Sequence, residues 1–230
     1  MKSKNLSSAI QIGILISICL TISACQHRPS AVFSSSCEVP CWRQIHPGVS
    51  TREDVIEIIN GFADLKSDEL WQGGEDPASG AIAFTLSNGE NVTMYFTDGI
   101  VSVIHFFDEK GIVSLDELIQ EFGEPTAAIQ SSIMGYGLPV GATSAWHAWF
   151  YGLDTKIGIT YGFDTYRYFG KITIISEKTK VTEIQFFDPG NLEALLKIGP
   201  LIKADGEELS PEALHPWMGF GDIDLLYPEK

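Results

Sequence analysis

The spacing of apolar residues changes along the chain from a helical period to strict alternation. In residues 48–61 and 111–125, apolar side chains recur at every third or fourth position, as on one face of an amphipathic helix. Each segment ends near a glycine, Gly61 or Gly123, which is typical of a helix C-terminus. Each also begins with a serine three positions before a glutamate, the pattern of a capping box: Ser50 with Glu53, and Ser114 with Glu117. Both segments are therefore predicted to be helices.

Alternating segments follow each predicted helix and predict antiparallel strands. Three strands are predicted in the first group and four in the second: residues 81–87, 91–97 and 100–107, then 144–151, 155–162, 171–177 and 180–187. Asn88-Gly89 and Asp98-Gly99 separate the first three and favour tight hairpin turns. Both groups end in Phe-Phe-Asp, at residues 106–108 and 186–188. The sequence thus predicts an α+β fold, a tandem repeat of one helix plus an antiparallel meander of three or four strands, with the helices packed on one sheet face.

The openings of the two repeats resemble a known module. Gly48-Val-Ser followed by Val55, and Gly111-x-x-Ser-x-x-x-Leu-x-x-x-x-Gly-Glu-Pro125, are similar to the start of the SmpA/OmlA module of a small outer-membrane assembly lipoprotein. The fold of that module is similar to each half of the β-lactamase inhibitor protein. The resemblance covers residues 45–188 and implies that helices pack on one face of an antiparallel sheet, while the other face is open to grip a protein partner.

The N-terminus has the pattern of an exported lipoprotein. Lys2 and Lys4 precede an uncharged apolar run whose core, residues 10–20, is shorter than the ~20 residues that cross a bilayer. The run ends in Ile22-Ser-Ala-Cys25, which resembles a bacterial lipobox and implies cleavage before Cys25 and acylation of its sulfur. We therefore expect a lipid-anchored, extracytoplasmic protein of the cell membrane or the outer membrane.

The remaining cysteines fit the same compartment. With Cys19 removed and Cys25 acylated, an oxidising environment predicts a disulfide between Cys37 and Cys41. A metal site that includes His46, or a redox-active pair, is the alternative. The predicted organisation is a signal peptide, a lipidated cysteine with a flexible tether, two repeats, and a C-terminal helix and tail packed on the body: residues 1–24, 25–44, 45–110, 111–189 and 190–230.

The charge and the polar residues exclude several functions. The chain has a formal net charge of −15, so it lacks the basic face that nucleic acids require. Its five histidines form no HExxH pattern, and neither a Gly-x-Ser-x-Gly elbow nor a phosphate-binding loop occurs. We therefore predict no catalytic residue, no metal and no cofactor, and no nucleic-acid partner.

A binding surface is what the pattern then indicates. If the apolar set of residues 92–96 faces the core, Tyr95 faces the other side of the sheet, and residues 146–151 place Trp149 and Tyr151 on a shared face. The leading hypothesis is a non-enzymatic protein-binding or envelope-assembly lipoprotein, anchored to the membrane by lipid. Its partner would be an envelope or secreted protein, with Tyr95, Trp149 and Tyr151 as contacts.

Two other functions remain open at this point. One is a hydrolase or inhibitor that acts on a cell-wall or secreted substrate. A cleft that joins His105 or His147 to an acidic residue would favour the hydrolase. The other is a structural envelope protein with no specific soluble partner.

Overall fold

The structure, a computed structural model, describes Val32 and residues 37–66, 70–73, 79–134, 145–168, 174–197 and 211–228. Its helices are α1 (Arg52–Asn60), α2 (Leu115–Phe122), α3 (Leu192–Lys197) and α4 (Ile223–Leu226), with a 3-10 turn at Pro211–Ala213. Its strands are β1 (Trp71–Gly73), β2 (Ala81–Thr85), β3 (Asn91–Thr97), β4 (Ile100–Phe107), β5 (Val113–Ser114), β6 (Ala127–Met134), β7 (Ala145–Asp154), β8 (Ile159–Tyr168), β9 (Ile174–Ile175), β10 (Lys180–Val181), β11 (Glu183–Phe187), β12 (His215–Pro216) and β13 (Gly221–Asp222).

The described part of the chain is mostly β, and the predicted tandem α+β arrangement is wrong. Nine strands form one antiparallel sheet in the order β1-β2-β3-β4-β11-β8-β7-β6-β12. Two small sheets, β10-β5 and β13-β9, accompany it. The helices are short, since the longest one described, α1, has nine residues. The two predicted repeats therefore do not form two helix-plus-meander units.

The pairing of β11 explains why one sheet forms. β11 lies between β4 and β8 and is antiparallel to both. Gln185 lies opposite His105, so the residues that precede the two Phe-Phe-Asp segments face each other, and the two strands with similar ends pair near the centre of the sheet. Two separate meanders would each expose an unpaired strand edge, whose N–H and C=O groups need partners. Joining β4 to β11 satisfies both edges at once.

The helix starts follow the capping prediction with one correction. α1 is capped by Thr51, whose side chain accepts from the Asp54 N–H while the Asp54 carboxylate accepts from the Thr51 N–H. Ser50, which was predicted to be the cap, lies one position before Thr51 and is buried. α2 has the predicted capping box of Ser114 and Glu117. Both helices end at the predicted glycines.

Apolar side chains form a main core on one face of the sheet and a smaller core on the other. α1 and α2 cover the main core, which includes Val55, Ile59, Leu115, Leu118, Ile82, Phe84, Val92, Met94, Ile104, Phe106, Ile184 and Phe186. α3 contributes Leu195 and Leu196 to the smaller core, together with Val103 and Phe187 of the sheet. Since those two strand residues point away from the main core, the expectation that all helices share one sheet face does not hold for α3.

Both ends of the described chain join the main core. The predicted disulfide between Cys37 and Cys41 is present. Trp42 follows it and is fully buried, with its ring centroid 5.2 Å from that of Phe106. Val32 is also buried in this core. The folded body therefore includes residues that the sequence pattern assigned to the tether.

The C-terminal tail packs on the body through Ile223 and Tyr227, which are buried in the main core. The Tyr227 hydroxyl accepts from the Met218 N–H and donates to the Gly219 carbonyl. The hydroxyl thereby holds the loop that precedes α4.

Candidate functional site

Strand alternation leaves a half-exposed face on β1 to β4, opposite the main core. In β2 and β3 every second residue is buried, and the residues between them are partly or fully exposed. The same face of β4 carries His105 and Phe107, both partly exposed. We call this surface the aromatic face and define it by Trp71, Ala83, Thr93, Tyr95, His105 and Phe107.

The register makes the aromatic face a shallow trough. Trp71, Ala83, Thr93 and His105 lie side by side on β1 to β4. The two middle residues are small, whereas the two outer ones carry rings. Because neighbouring strands are about 4.8 Å apart, the trough is roughly 14 Å wide from β1 to β4.

Trp71 forms one wall of this trough. It belongs to the edge strand and is 57% exposed. Its six-membered ring lies over Gly73, since a β-carbon at Gly73 would collide with that ring. Glycine therefore leaves room for the indole over its own strand. The sequence pattern did not indicate this residue, because a three-residue strand beside two glycines shows no alternation.

The aromatic face has no formally charged side chain among the described strand residues of β1 to β4. Other uncharged residues on the same side of these strands include Gly73, Ala81, Thr85, Asn91 and Val103. The Thr85 hydroxyl donates to Asn91 Oδ1 at 2.9 Å, which orients the amide at the rim. In a chain of net charge −15, an uncharged polar and aromatic surface is a distinct local environment.

The three predicted contact residues have different positions. Tyr95 is partly buried beside the smaller core, and burial, with the nearby Glu183 carboxylate, raises the pKa of its hydroxyl. Tyr151 is buried in the smaller core with 1% exposure, so it offers no surface to a partner. The side chain of Trp149 lies outside the described residues. Of the two whose side chains are described, only Tyr95 therefore enters the aromatic face.

Tyr151 instead belongs to a buried polar cluster with His105 and Glu183. Gly162 stands between Glu183 and Tyr151 in the sheet register. Because Gly162 has no side chain, the Tyr151 ring reaches across β8, and its hydroxyl donates to Glu183 Oε2 at 3.1 Å. His105 Nε2 lies 3.1 Å from the same oxygen. The cluster thus links three strands through one carboxylate.

This cluster joins His105 to an acid, the arrangement expected of a hydrolase if it lies in a cleft. The two side chains are enclosed, however, with exposures of 12% for His105 and 3% for Glu183. A general acid or base must come within hydrogen-bond distance of the substrate. Their enclosure hinders such an approach, and the polar contacts hold strands together.

Gln185 is a further polar side chain of this region. It lies between His105 of β4 and Thr160 of β8 and is 1% exposed. Neither its amide nitrogen nor its amide oxygen has a hydrogen-bond partner. Thr160, equally buried, donates its hydroxyl hydrogen to the Gly152 carbonyl. Gln185 therefore carries an energetic cost that its neighbour avoids.

A groove of about 630 Å³ lies beside α1, away from the aromatic face. Arg43 lines it, and its guanidinium lies 4.8 Å from the Trp42 ring and 4.6 Å from the Phe62 ring. Two nitrogens of Arg43 donate to both Asp64 oxygens, at 2.7 and 2.6 Å. Because this charge is already paired, the groove offers no obvious anion site.

Two further observations concern the described residues. No group of three or more histidine, cysteine, aspartate or glutamate side chains in them is placed to hold a metal ion. None of their helices combines the length and apolarity needed to span a membrane.

Comparisons of the chain with protein families, curated proteins and solved structures found no match.

Proposed function

We propose that this protein is a lipid-anchored, extracytoplasmic binding protein that captures an envelope or secreted component through the aromatic face without catalysing a reaction. The observation that carries the proposal is the partly exposed trough of Trp71, Ala83, Thr93 and His105 on the sheet. Partly exposed rings on a packed scaffold suit recognition, because they bring a large contact area at a small loss of side-chain freedom.

The anchoring part of the proposal rests on the lipobox at Cys25. The Cys37–Cys41 disulfide supports it, because such bonds persist in oxidising compartments. Val32 stands seven positions after Cys25 and is buried in the main core. Seven extended residues span at most about 25 Å. An acylated Cys25 would therefore keep the body, and its aromatic face, close to the membrane surface.

The non-enzymatic part rests on the enclosure of His105 and Glu183. A ligand in the trough could touch the His105 ring, but Glu183 is 3% exposed, and His105 Nε2 faces its carboxylate. The Tyr151 hydroxyl also donates a hydrogen bond to the Glu183 carboxylate. The pair is therefore better suited to fixing β4, β7 and β11 than to transferring protons.

The test is crosslinking in intact cells followed by affinity capture of the native lipoprotein. Thr93→Arg places a long, charged side chain in the trough, and Asn60→Arg makes the same charge change on exposed α1, across the sheet. Capture that is lost in Thr93→Arg and kept in Asn60→Arg supports binding at the aromatic face. A partner that both variants capture equally well contradicts it.

A further inference from the structure

We propose that the ligand of the aromatic face is a neutral glycan chain, with Trp71 as its stacking platform. This inference rests on the proposed function, because it names the ligand class of the same surface. Four features carry it: the position of the Trp71 ring over Gly73, the hydroxyl and amide groups on the same face, the lack of a formally charged side chain among the described strand residues of β1 to β4, and the shape of the trough.

The orientation of Trp71 suits a sugar ring. The six-membered ring of the indole lies over Gly73, and the residue stays 57% exposed. A pyranose ring has an apolar side of C–H groups that carry a slight positive charge. The face of an aromatic ring is negative, so the two surfaces attract each other when they stack. A ring already placed against its own strand loses little freedom on binding.

Polar side chains on the same face as Trp71 supply contacts of the matching kind. Thr93 lies in the floor of the trough, and Thr85 and Asn91 lie at its rim. Hydroxyl and amide side chains both donate and accept hydrogen bonds, as sugar hydroxyls do. The Thr85 to Asn91 hydrogen bond occupies the amide oxygen and leaves the amide nitrogen as a donor at the rim.

The charge pattern selects among ligands. The face on β1 to β4 has no carboxylate, ammonium or guanidinium in the described strand residues. The Glu183 carboxylate contacts His105 from β11 but is 3% exposed, so the face offers no ion pair to a charged ligand. The net charge of −15 would also repel an acidic polysaccharide. A neutral ligand requires neither ion pairs nor attraction by the overall charge.

The shape favours a chain over a single sugar and over a folded protein. The trough is roughly 14 Å wide from β1 to β4. The small side chains of Ala83 and Thr93 form its low floor. Stable protein interfaces usually bury a broad apolar centre rich in large side chains. A short oligosaccharide can lie across the strands between Trp71 and His105.

The experiment uses the full-length lipoprotein in a detergent without a sugar headgroup. Titration calorimetry measures binding of the hexamer of N-acetylglucosamine and of cellohexaose, with polygalacturonate as the acidic comparison. We expect a neutral hexasaccharide to bind and Trp71→Ala to weaken it roughly 10-fold, the equivalent of one stacking contact. Gly73→Ala should also weaken binding, because it lifts the indole without removing it. Trp71→Phe should retain part of the affinity, and Asn60→Arg all of it.

Several results would overturn the inference. The inference fails if neither neutral hexasaccharide binds. It also fails if Trp71→Ala leaves the affinity for the neutral hexasaccharide unchanged. Tighter binding of polygalacturonate would also contradict a neutral ligand. If these titrations fail while crosslinking captures a protein that Thr93→Arg loses, the glycan inference is wrong and the proposed binding function stands. If neither experiment detects a Trp71- or Thr93-dependent ligand, both proposals fail.

Discussion

Replacing Gln185 by leucine should stabilise the protein, although it removes a polar side chain from the centre of the sheet. Gln185 is 1% exposed, and neither polar atom of its amide has a hydrogen-bond partner. A buried polar group left without a partner costs about 1–3 kcal/mol. Leucine has a similar size, carries no polar atom and would pack beside Phe187 in the smaller core. We therefore expect the free energy of unfolding to rise by about 1–3 kcal/mol.

Equilibrium unfolding in urea, followed by tryptophan fluorescence, measures this change. The midpoint should increase while the slope with urea stays constant, because the area exposed on unfolding hardly changes. The melting temperature should rise by about 2–4 °C per kcal/mol in a chain of this size.

Thr160 provides the matched control. It lies opposite Gln185 and is equally buried, but its hydroxyl donates to the Gly152 carbonyl. Thr160→Val should therefore destabilise the protein by about 1 kcal/mol, the opposite sign. If Gln185→Leu lowered stability as well, the Gln185 amide would have to be paired in solution, and the assignment of an unsatisfied group would be wrong.

Three other predictions concern the cluster, the ion pair and the anchor. Tyr151→Phe removes the hydroxyl that donates to Glu183, so unfolding in urea should show a loss of about 1.5–3 kcal/mol, and an unchanged midpoint would refute that bond's contribution. The hydrogen bonds from the Arg43 guanidinium hold the pKa of Asp64 below its usual value of 3.8. The ion pair therefore contributes its full stability above that pH, and the contribution disappears as the pH falls through the lower pKa of the folded state. The stability difference between the wild type and Asp64→Asn, at most about 1 kcal/mol at this exposed pair, should vanish in strong acid, and a constant difference would contradict the linkage. Cys25→Ser should move the protein from the membrane fraction to the soluble extracytoplasmic fraction, whereas retention in the membrane would exclude lipid as the anchor.

Local patterns in the sequence were sufficient for the elements whose signals lie within a few residues. β3 and β4 have the predicted bounds, because their alternation is continuous and Asp98-Gly99 forms the turn between them, with both residues at positive φ. The capping box of α2 and the disulfide were likewise predictable from residue types and spacing. The predicted strand at residues 155–162 was less successful, since its first half is a turn and β8 begins at residue 159.

The candidate site was only partly predictable for a related reason. Alternation assigned Tyr95 correctly to the face opposite the main core. It could not show which part of that face would be covered. α3 and the smaller core cover the part near Tyr151, whereas the part beside Trp71 stays accessible.

What the sequence determined by itself was therefore the local conformation: helix caps, hairpin turns, the disulfide and the two faces of each continuous strand. What only the tertiary structure decided was the pairing of β11 with β4, the burial of Tyr151 against Glu183, and the placement of Trp71 over Gly73. The physical reason is that a strand's periodicity separates two faces but does not specify its neighbours. Its neighbours are selected by distant segments that compete to satisfy the same backbone edge and cover the same apolar surface.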